Sequence, residues 1–299
     1  MMKKILVVYY TQTGQLESIA NSFTAPLTAA GFSVEKVQIT PAKNYTFPWT
    51  AKRFFEEMPG SVLGIPEPLQ PFQFKETKYD LVVIGWQPWF LSPSIPSASL
   101  LVHPNFKAVV KDTPVIMLTG ARNMWLNAME KIKPLLKQAG AKLVGNVVLA
   151  DKNQNFISGV TILYWMFSGK KDKFLNIFPK PGVSDEDISG AAKFGETVVK
   201  HLQSGDFDNL QADLVKQKAV DVKWDLMFIE ARAGKLFSIW ANLIAKKKNR
   251  GPWLVLFKYY LLIALFVVAP VVVGTYGLLF KPFLSKSISK KKNYYQELN

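Results

Sequence analysis

Three short stretches hold the residues best placed to do chemistry. The first, TQTGQL at 11–16, follows the apolar run ILVVYY. Thr11 and Thr13 offer hydroxyl donors and Gly14 permits a tight turn. The free N–H groups of a following helix start point the same way, which makes an anion site. The loop has no lysine and fits neither GxGxxG nor GxxxxGK(S/T), which weakens the case for a dinucleotide or a nucleoside triphosphate. Neutral hydroxyls and amides suit a single terminal phosphomonoester; the plainer alternative is that Thr13 only caps the helix. The second stretch, GWQPWFLSPSIP at 85–96, gathers three prolines with Trp86, Trp89 and Phe90. It could clasp a flat heteroaromatic ring, or its aromatics could be buried under neighbouring chain. The third, TGARNMW at 119–125, sets Gly120 beside Arg122 and Asn123, which could meet carbonyl oxygens. Alternatively Asn123 caps a helix from Met124, and Arg122 pairs with a surface acid.

These stretches need a scaffold that brings them to one edge. Runs of strand length occur at 5–10 (ILVVYY), 34–39 (VEKVQI), 80–85 (DLVVIG), 114–120 (PVIMLTG) and 142–149 (KLVGNVVL), with helical lengths such as Gln15–Ala30 and Met124–Ala139 between them. Strand and helix in alternation predict an α/β fold, an open parallel sheet with helices on both faces. Its ligand lies outside the carboxyl ends of the strands, where all three stretches fall. Residues 184–205 read as one closing helix, with Ser184 as N-cap, three acids against the dipole and Gly205 as the stop. Two insertions enlarge the plan: about 41–78, with FPWTAKRFF, and about 150–183, with the uncharged run GVTILYWMFSG. The latter reads as a core helix, or as an apolar wall for a greasy substrate or a lipid-touching surface.

Composition narrows the chemistry. The 299 residues include no cysteine, which excludes disulfides, a thiolate nucleophile and cysteine-built metal sites; two histidines, His103 and His201, are too few for a histidine metal centre. The latter, on the closing helix, is expected to be exposed. A net charge of +15 suggests nucleic acid until it is divided: residues 1–230 carry 25 Lys/Arg against 21 Asp/Glu, while 231–299 carry 12 against 1. The excess brackets an apolar segment, which suits anionic lipid headgroups and not a nucleic-acid groove. That segment, Tyr259–Phe280, runs 22 residues without a charge. As a helix it reaches about 33 Å, enough to span a bilayer core. Trp253, Tyr259, Tyr260 and Tyr276 supply interfacial aromatics. Five Lys/Arg on each flank leave its orientation open, and Pro270 divides it, so a single kinked span and a re-entrant wedge are both allowed. The run after Lys3 and Lys4 is too short for a secretory leader and reads as a first strand. The expected plan is a domain at 1–205, a basic linker or helical region at 206–252, and a membrane-anchoring segment with a basic tail at 253–299.

Together the three loops resemble the flavodoxin-like FMN-binding family. Its phosphate loop reads T/S-x-T-G-x-T; Thr11, Thr13 and Gly14 match, while Leu16 departs from the final Thr, so the backbone amide of Gln15 would stand in. The resemblance implies a five-stranded sheet in the order 2-1-3-4-5. It places the ribityl phosphate of FMN on Thr11, Gln12, Thr13, Gly14 and Gln15. The isoalloxazine would lie between Gln87, Pro88, Trp89 and Phe90 on one side and Gly120, Ala121, Arg122 and Asn123 on the other. A closer resemblance spans nearly the whole chain. YYTQTGQL, FTAPL, FPWTAKRFF, WQPWFLSPSIP, ARNMW, YWMFSGKKDKFLNIFPKPGVS and the apolar tail are similar to the bacterial dialkylresorcinol condensing enzyme family. That resemblance implies work beside a ketosynthase partner on lipid-like dialkyl substrates, including those of flexirubin-type pigments. The expected location is the cytoplasmic face of the inner membrane, with the C-terminal segment as the anchor.

Condensation usually needs a nucleophilic cysteine, which this chain lacks. A flavin site fits the next step, oxidation of a dialkylcyclohexane-1,3-dione to a resorcinol. Candidates for its acid–base and electrostatic work are Tyr10, His103 and Arg122, although His103 precedes Pro104 and also suits a turn cap. Two rival readings stand beside this one: a membrane-attached NAD(P)H:quinone or flavin reductase, and a tethered electron carrier that is not an enzyme.

Overall fold

The computed structural model describes residues 2–279 and 283–298. Five parallel strands form its centre: β1 (Lys4–Tyr9), β2 (Ser33–Gln38), β3 (Leu81–Trp86), β4 (Pro114–Ala121) and β5 (Lys142–Ala150). Their spatial order is β2-β1-β3-β4-β5, the doubly wound flavodoxin-like arrangement, with its switch point between β1 and β3. β1 and β3 are buried on both faces, which is why they read as continuous apolar runs. Edge strand β2 alternates partly buried and exposed residues instead.

Helices cover both faces. α1 (Gln15–Ala29) buries Leu16, Ile19, Ala20, Phe23 and Leu27 at helical spacing. The first insertion supplies α2 (Ala51–Glu56) and α3 (Met58–Leu63), and α4 (Ile95–Val102), α5 (Pro104–Val110) and α6 (Leu126–Gln138) follow β3 and β4. The second insertion supplies α7 (Asn155–Ser168). The expected closing helix is two helices, α8 (Asp185–Ser189) and α9 (Ala192–Ser204). Ser184 does cap the first, accepting from Asp187 N at 3.1 Å, and Gly205 ends the second at φ 75°. The break at Gly190 lets α9 press onto α1: a Cβ on Gly195 would lie 2.0 Å from the Phe23 carbonyl oxygen. His201 is not exposed as expected; its ring lies between the Asp206 carbonyl (2.9 Å) and Asp213 Oδ2 (3.1 Å), joining α9 to α10 (Leu210–Lys216).

The C-terminal third is a second layer on this domain. α11 (Trp224–Ala245) packs on α3 and α6, and a 29-residue apolar helix, Gly251–Leu279, runs back along it. The apolar helix comprises α12 (Gly251–Ile263), a π segment (Ala264–Val268) and α13 (Ala269–Leu279). Pro270 has no N–H to give, so the preceding turn widens to π geometry and the helix continues through it. Phe280, the last residue of the expected apolar segment, lies outside the described residues. α14 (Ser285–Gln296) returns to the domain, where Tyr294 donates to Glu130 Oε2 at 2.8 Å and Gln211 donates to the Gln296 carbonyl at 2.6 Å.

α11 is held by one acid. Glu230 is 1% exposed; its Oε1 accepts from Asn127 N at 2.7 Å, and among the described residues its Oε2 is buried without a hydrogen-bond partner. It therefore caps α6 from another helix, where the helix dipole favours negative charge. Asn127 answers by donating to the Glu230 carbonyl at 2.6 Å. Burial nevertheless prevails over the helix start and raises the carboxyl to about 7 from its ordinary 4.5. The folded state keeps the proton across that interval while the unfolded chain releases it. Stability therefore falls as pH rises from 4.5 through 7, by about 3 kcal/mol in full. Glu230→Gln, which imitates the protonated carboxyl, is expected to remove this slope. Thermal unfolding from pH 5 to 8 should show the variant matching the parent at the acid end and exceeding it at pH 8; parallel curves would refute the assignment.

Candidate functional site

At the carboxyl ends of β1, β3 and β4 lies a cavity of about 800 Å³. Gln12, Thr13, Gln15, Gln87, Pro88, Trp89, Phe90, Gly120, Ala121 and Arg122 meet in its wall, as the loop positions predict. Thr11, Gly14 and Asn123 stand behind that wall. The remaining lining is largely apolar and comes mainly from α2, α7, α11 and the apolar helix, including Phe54, Ile162, Met166, Phe237, Leu261 and Val268.

The β1–α1 loop is built to receive an acceptor. Gly14 sits at φ 80°, a left-handed conformation that glycine adopts without strain, and no side chain caps α1. Thr13 Oγ1 lies a long 3.5 Å from Gln15 N, so its capping is weak. Among the described residues the N–H groups of Leu16 and Glu17 find no acceptor, and the Thr11 hydroxyl is buried without a partner. The side chains of the two glutamines are committed elsewhere. Gln12 donates to the Tyr45 carbonyl at 2.8 Å, and Gln15 accepts from Val183 N at 2.9 Å, so each insertion is tied to this loop.

The β3–α4 loop is a strained two-residue hairpin. Pro88–Trp89 pairs antiparallel with Ser92–Pro93, and Phe90 and Leu91 between them have φ of 49° and 59°. Bulky residues seldom adopt these angles, and each costs roughly 1–2 kcal/mol there. Ser61 Oγ donating to the Trp89 carbonyl (2.9 Å) and Lys131 Nζ donating to Ser92 Oγ (2.8 Å) hold the turn, which presents both side chains to the cavity. Trp89 packs edge-on against Tyr10, Tyr45 and Trp49 at 6.0, 5.1 and 5.5 Å. Trp86, in contrast, is wholly buried at the end of β3 and takes no part in the cavity.

Arg122 is the cation of the third loop. It donates to Asn155 Oδ1 at 2.8 Å, and its other N–H donors have no protein acceptor among the described residues. Burial lowers the guanidinium to about 10, opposed by the nearby Asp151 carboxylate, so it stays charged at neutral pH. Asn123 donates to the same Asn155 oxygen at 3.0 Å and does not cap α6, which begins at Leu126 under Glu230. Gly120 serves packing: a Cβ there would meet Leu16 and Ile19 at 3.3 Å.

Two catalytic candidates are displaced by the structure. His103 lies at the α4–α5 junction, outside the cavity lining, where Nδ1 accepts from Asn105 N at 3.2 Å and the ring lies against Phe72. It is a turn cap. Tyr10 is buried outside the cavity lining, its hydroxyl donates a hydrogen bond to Gln12 Oε1, and burial pushes that hydroxyl well above the usual tyrosine range. Sequence reasoning missed Glu57, a buried cavity-lining carboxylate held by Lys43 (3.0 Å) and Arg53 (3.2 Å). It also missed Asp151 and Asn155 behind Arg122. Both lie at the carboxyl end of β5 or just beyond it, so the strand-end rule applied once more would have found them.

No family model and no curated protein matches this chain. Among solved structures it is similar to a Lactobacillus acidophilus flavoprotein in complex with FMN, at 17% identity over 49% of this chain and 93% of that one, TM-score 0.39. It is similar to the two-electron reduced flavodoxin of Megasphaera elsdenii at 18% identity over 50% and 86% of the chains, TM-score 0.30, and to a flavone reductase at 12% over 67% and 63%, TM-score 0.35.

Proposed function

We propose that this protein is an FMN-dependent oxidoreductase that acts on a lipid-like cyclic diketone at the cytoplasmic face of a membrane. The observation that carries the reading is one cavity in which an anion cradle, an aromatic turn and a partly buried arginine meet a largely apolar wall. FMN fits the residues present. Its phosphate would be held by the Thr11 and Thr13 hydroxyls and the free amides of the α1 start, where a buried hydroxyl otherwise has no partner. Its ring would lie between Pro88–Phe90 and Gly120–Arg122. Bound there, FMN supplies a two-electron acceptor.

The remaining wall supports the substrate class. An 800 Å³ cavity lined by α7, α11 and the apolar helix suits alkyl chains, and Arg122 suits an oxyanion. A 2,5-dialkylcyclohexane-1,3-dione is a strong carbon acid; its proton leaves from carbon between the carbonyls, and Arg122 holds the oxygen that takes the charge. Loss of a hydride from the ring, followed by tautomerisation, completes the two-electron change to a resorcinol. The chain's lack of cysteine supports leaving the preceding carbon–carbon condensation to a separate ketosynthase-type partner. The enclosing α11 and apolar helix make the cavity a poor docking face for a protein electron partner, which disfavours a simple carrier.

Detergent-purified protein is expected to show a flavin absorption band that a synthetic dialkylcyclohexanedione bleaches anaerobically and NAD(P)H does not. Bleaching by NAD(P)H with turnover of simple quinones would select a reductase instead, and absence of flavin would end the reading. Thr11→Val should raise the melting temperature of the flavin-free protein, because an unsatisfied buried hydroxyl is removed. It should also weaken FMN binding by roughly tenfold or more, since a hydrogen bond to a charged group is lost. Titration of the apo-protein with FMN checks both directions at once. Arg122→Met should retain FMN yet lower kcat/KM for the dione by on the order of 100-fold; unchanged turnover would remove Arg122 from the chemistry.

A further inference from the structure

The apolar helix is long enough to cross a bilayer, but its contacts place it elsewhere. Near its start, Phe257 is fully buried and meets Phe55 of α2 at 6.1 Å and Phe237 of α11 at 5.4 Å. At its middle, Phe266 meets Phe156 of α7 at 5.2 Å, and Leu265 lies where a Cβ on Gly159 would touch it at 3.3 Å. Near its end, Tyr276 meets Phe228 of α11 at 4.1 Å, and Gly277 lies against Trp224. The globular domain therefore touches the helix at both ends and at its centre. A transmembrane segment cannot do this, because its midpoint lies about 15 Å from the nearest water and a domain carrying ion pairs would have to follow it there.

The opposite face of the helix tells the other half. Tyr259, Val267, Val271 and Leu278 form a stripe along the helix and are 54, 58, 60 and 82% exposed. An exposed stripe of this length on a water-soluble surface would be an aggregation liability. The lysines at 246–248 and 290–292 flank the helix and make no ion pair with an acidic side chain among the described residues. Apolar surface bordered by unpaired cations is complementary to the acyl and headgroup layers of an anionic leaflet.

We infer that the Gly251–Leu279 helix lies in the plane of one anionic leaflet as a monotopic platform, with both its ends on the domain's side and the cavity on its inner face. This rests on the membrane attachment proposed above and replaces both a span and a re-entrant wedge. Leu261, Leu265 and Val268 then separate leaflet from cavity, so an alkyl substrate reaches the site without crossing water.

The absence of cysteine makes the test direct, since any introduced thiol is unique. Tyr259→Cys, Val267→Cys and Leu278→Cys would each be labelled with a nitroxide in the full chain and bound to phosphatidylcholine vesicles containing one-third phosphatidylglycerol. Their depths would then be read by relaxation from oxygen and a nickel chelate. In-plane seating predicts three similar, shallow depths. A span would place Val267 about 12 Å deeper than Tyr259, because eight residues separate them along the axis, and would overturn the inference. In parallel, Asn249→Cys and Ser289→Cys should both react with an impermeant maleimide added outside the vesicles; protection of one alone would also overturn it. No vesicle binding would refute the membrane seating, while flavin bleaching by the dione, measured on the same samples in detergent, would separately decide the proposed chemistry.

Discussion

The structure turns on the meeting of α11 with the start of α6. Glu230 fills the N-terminus of a helix that begins four residues after Arg122, so one carboxyl fixes both the arginine loop and the second layer. Gly234 shows how close this meeting is: a Cβ there would lie 2.4 Å from Asn127 Nδ2. Without α11 in that position the apolar helix has no partner, and the cavity loses Phe237, Leu236 and the helix itself from its wall. A buried acid is a costly way to dock a helix, because desolvation exceeds what its hydrogen bonding to the helix start returns. It gives in exchange a defined register along α11, which a purely apolar contact would leave free to slide.

The same economy of polar groups marks the cavity. Its charged side chains are Glu57, Arg122 and Arg232. Glu57 is neutralised by Lys43 and Arg53, and Arg232 is laid over the Phe228 ring at 3.4 Å, donating to the Phe228 carbonyl at 3.0 Å. Arg232 is exposed to solvent, whereas Arg122 is withdrawn from it with most of its donors free, so its field is concentrated where a ligand would sit. The strained Phe90–Leu91 turn belongs to this arrangement. Its two side chains close the cavity over that field, and Ser61 and Lys131 hold a conformation the chain would otherwise leave.

What was legible in the sequence was local. Strands with apolar runs such as ILVVYY and DLVVIG fall within a residue of expectation, because burial on both faces imposes that composition. The three loops converge because strand direction alone decides which loops share an edge. Long-range partners were not legible. Nothing in WDLMFIEARAG shows that its glutamate caps a helix more than a hundred residues earlier, and Trp86 and Trp89, three positions apart, look alike until one ends a central strand and the other begins a hairpin. The break at Gly190 was hidden for a similar reason: it serves the approach of Gly195 to Phe23, a tertiary demand.

The apolar helix shows how one composition can answer two demands. A helix apolar on every side is ordinarily read as buried in a core or in lipid all round. Here Phe257, Leu265 and Tyr276 meet α2, α7 and α11 in turn, while the stripe from Tyr259 to Leu278 faces outward. Each face needs apolar residues for a different neighbour, so no polar face develops and hydropathy alone reads as a span. What separates the cases is the protein on either flank. α11 before the helix and α14 after it are both bonded to α6, through Glu230 to Asn127 and Tyr294 to Glu130. Two attachments to one helix, before and after the apolar segment, are what the in-plane seating inferred above requires.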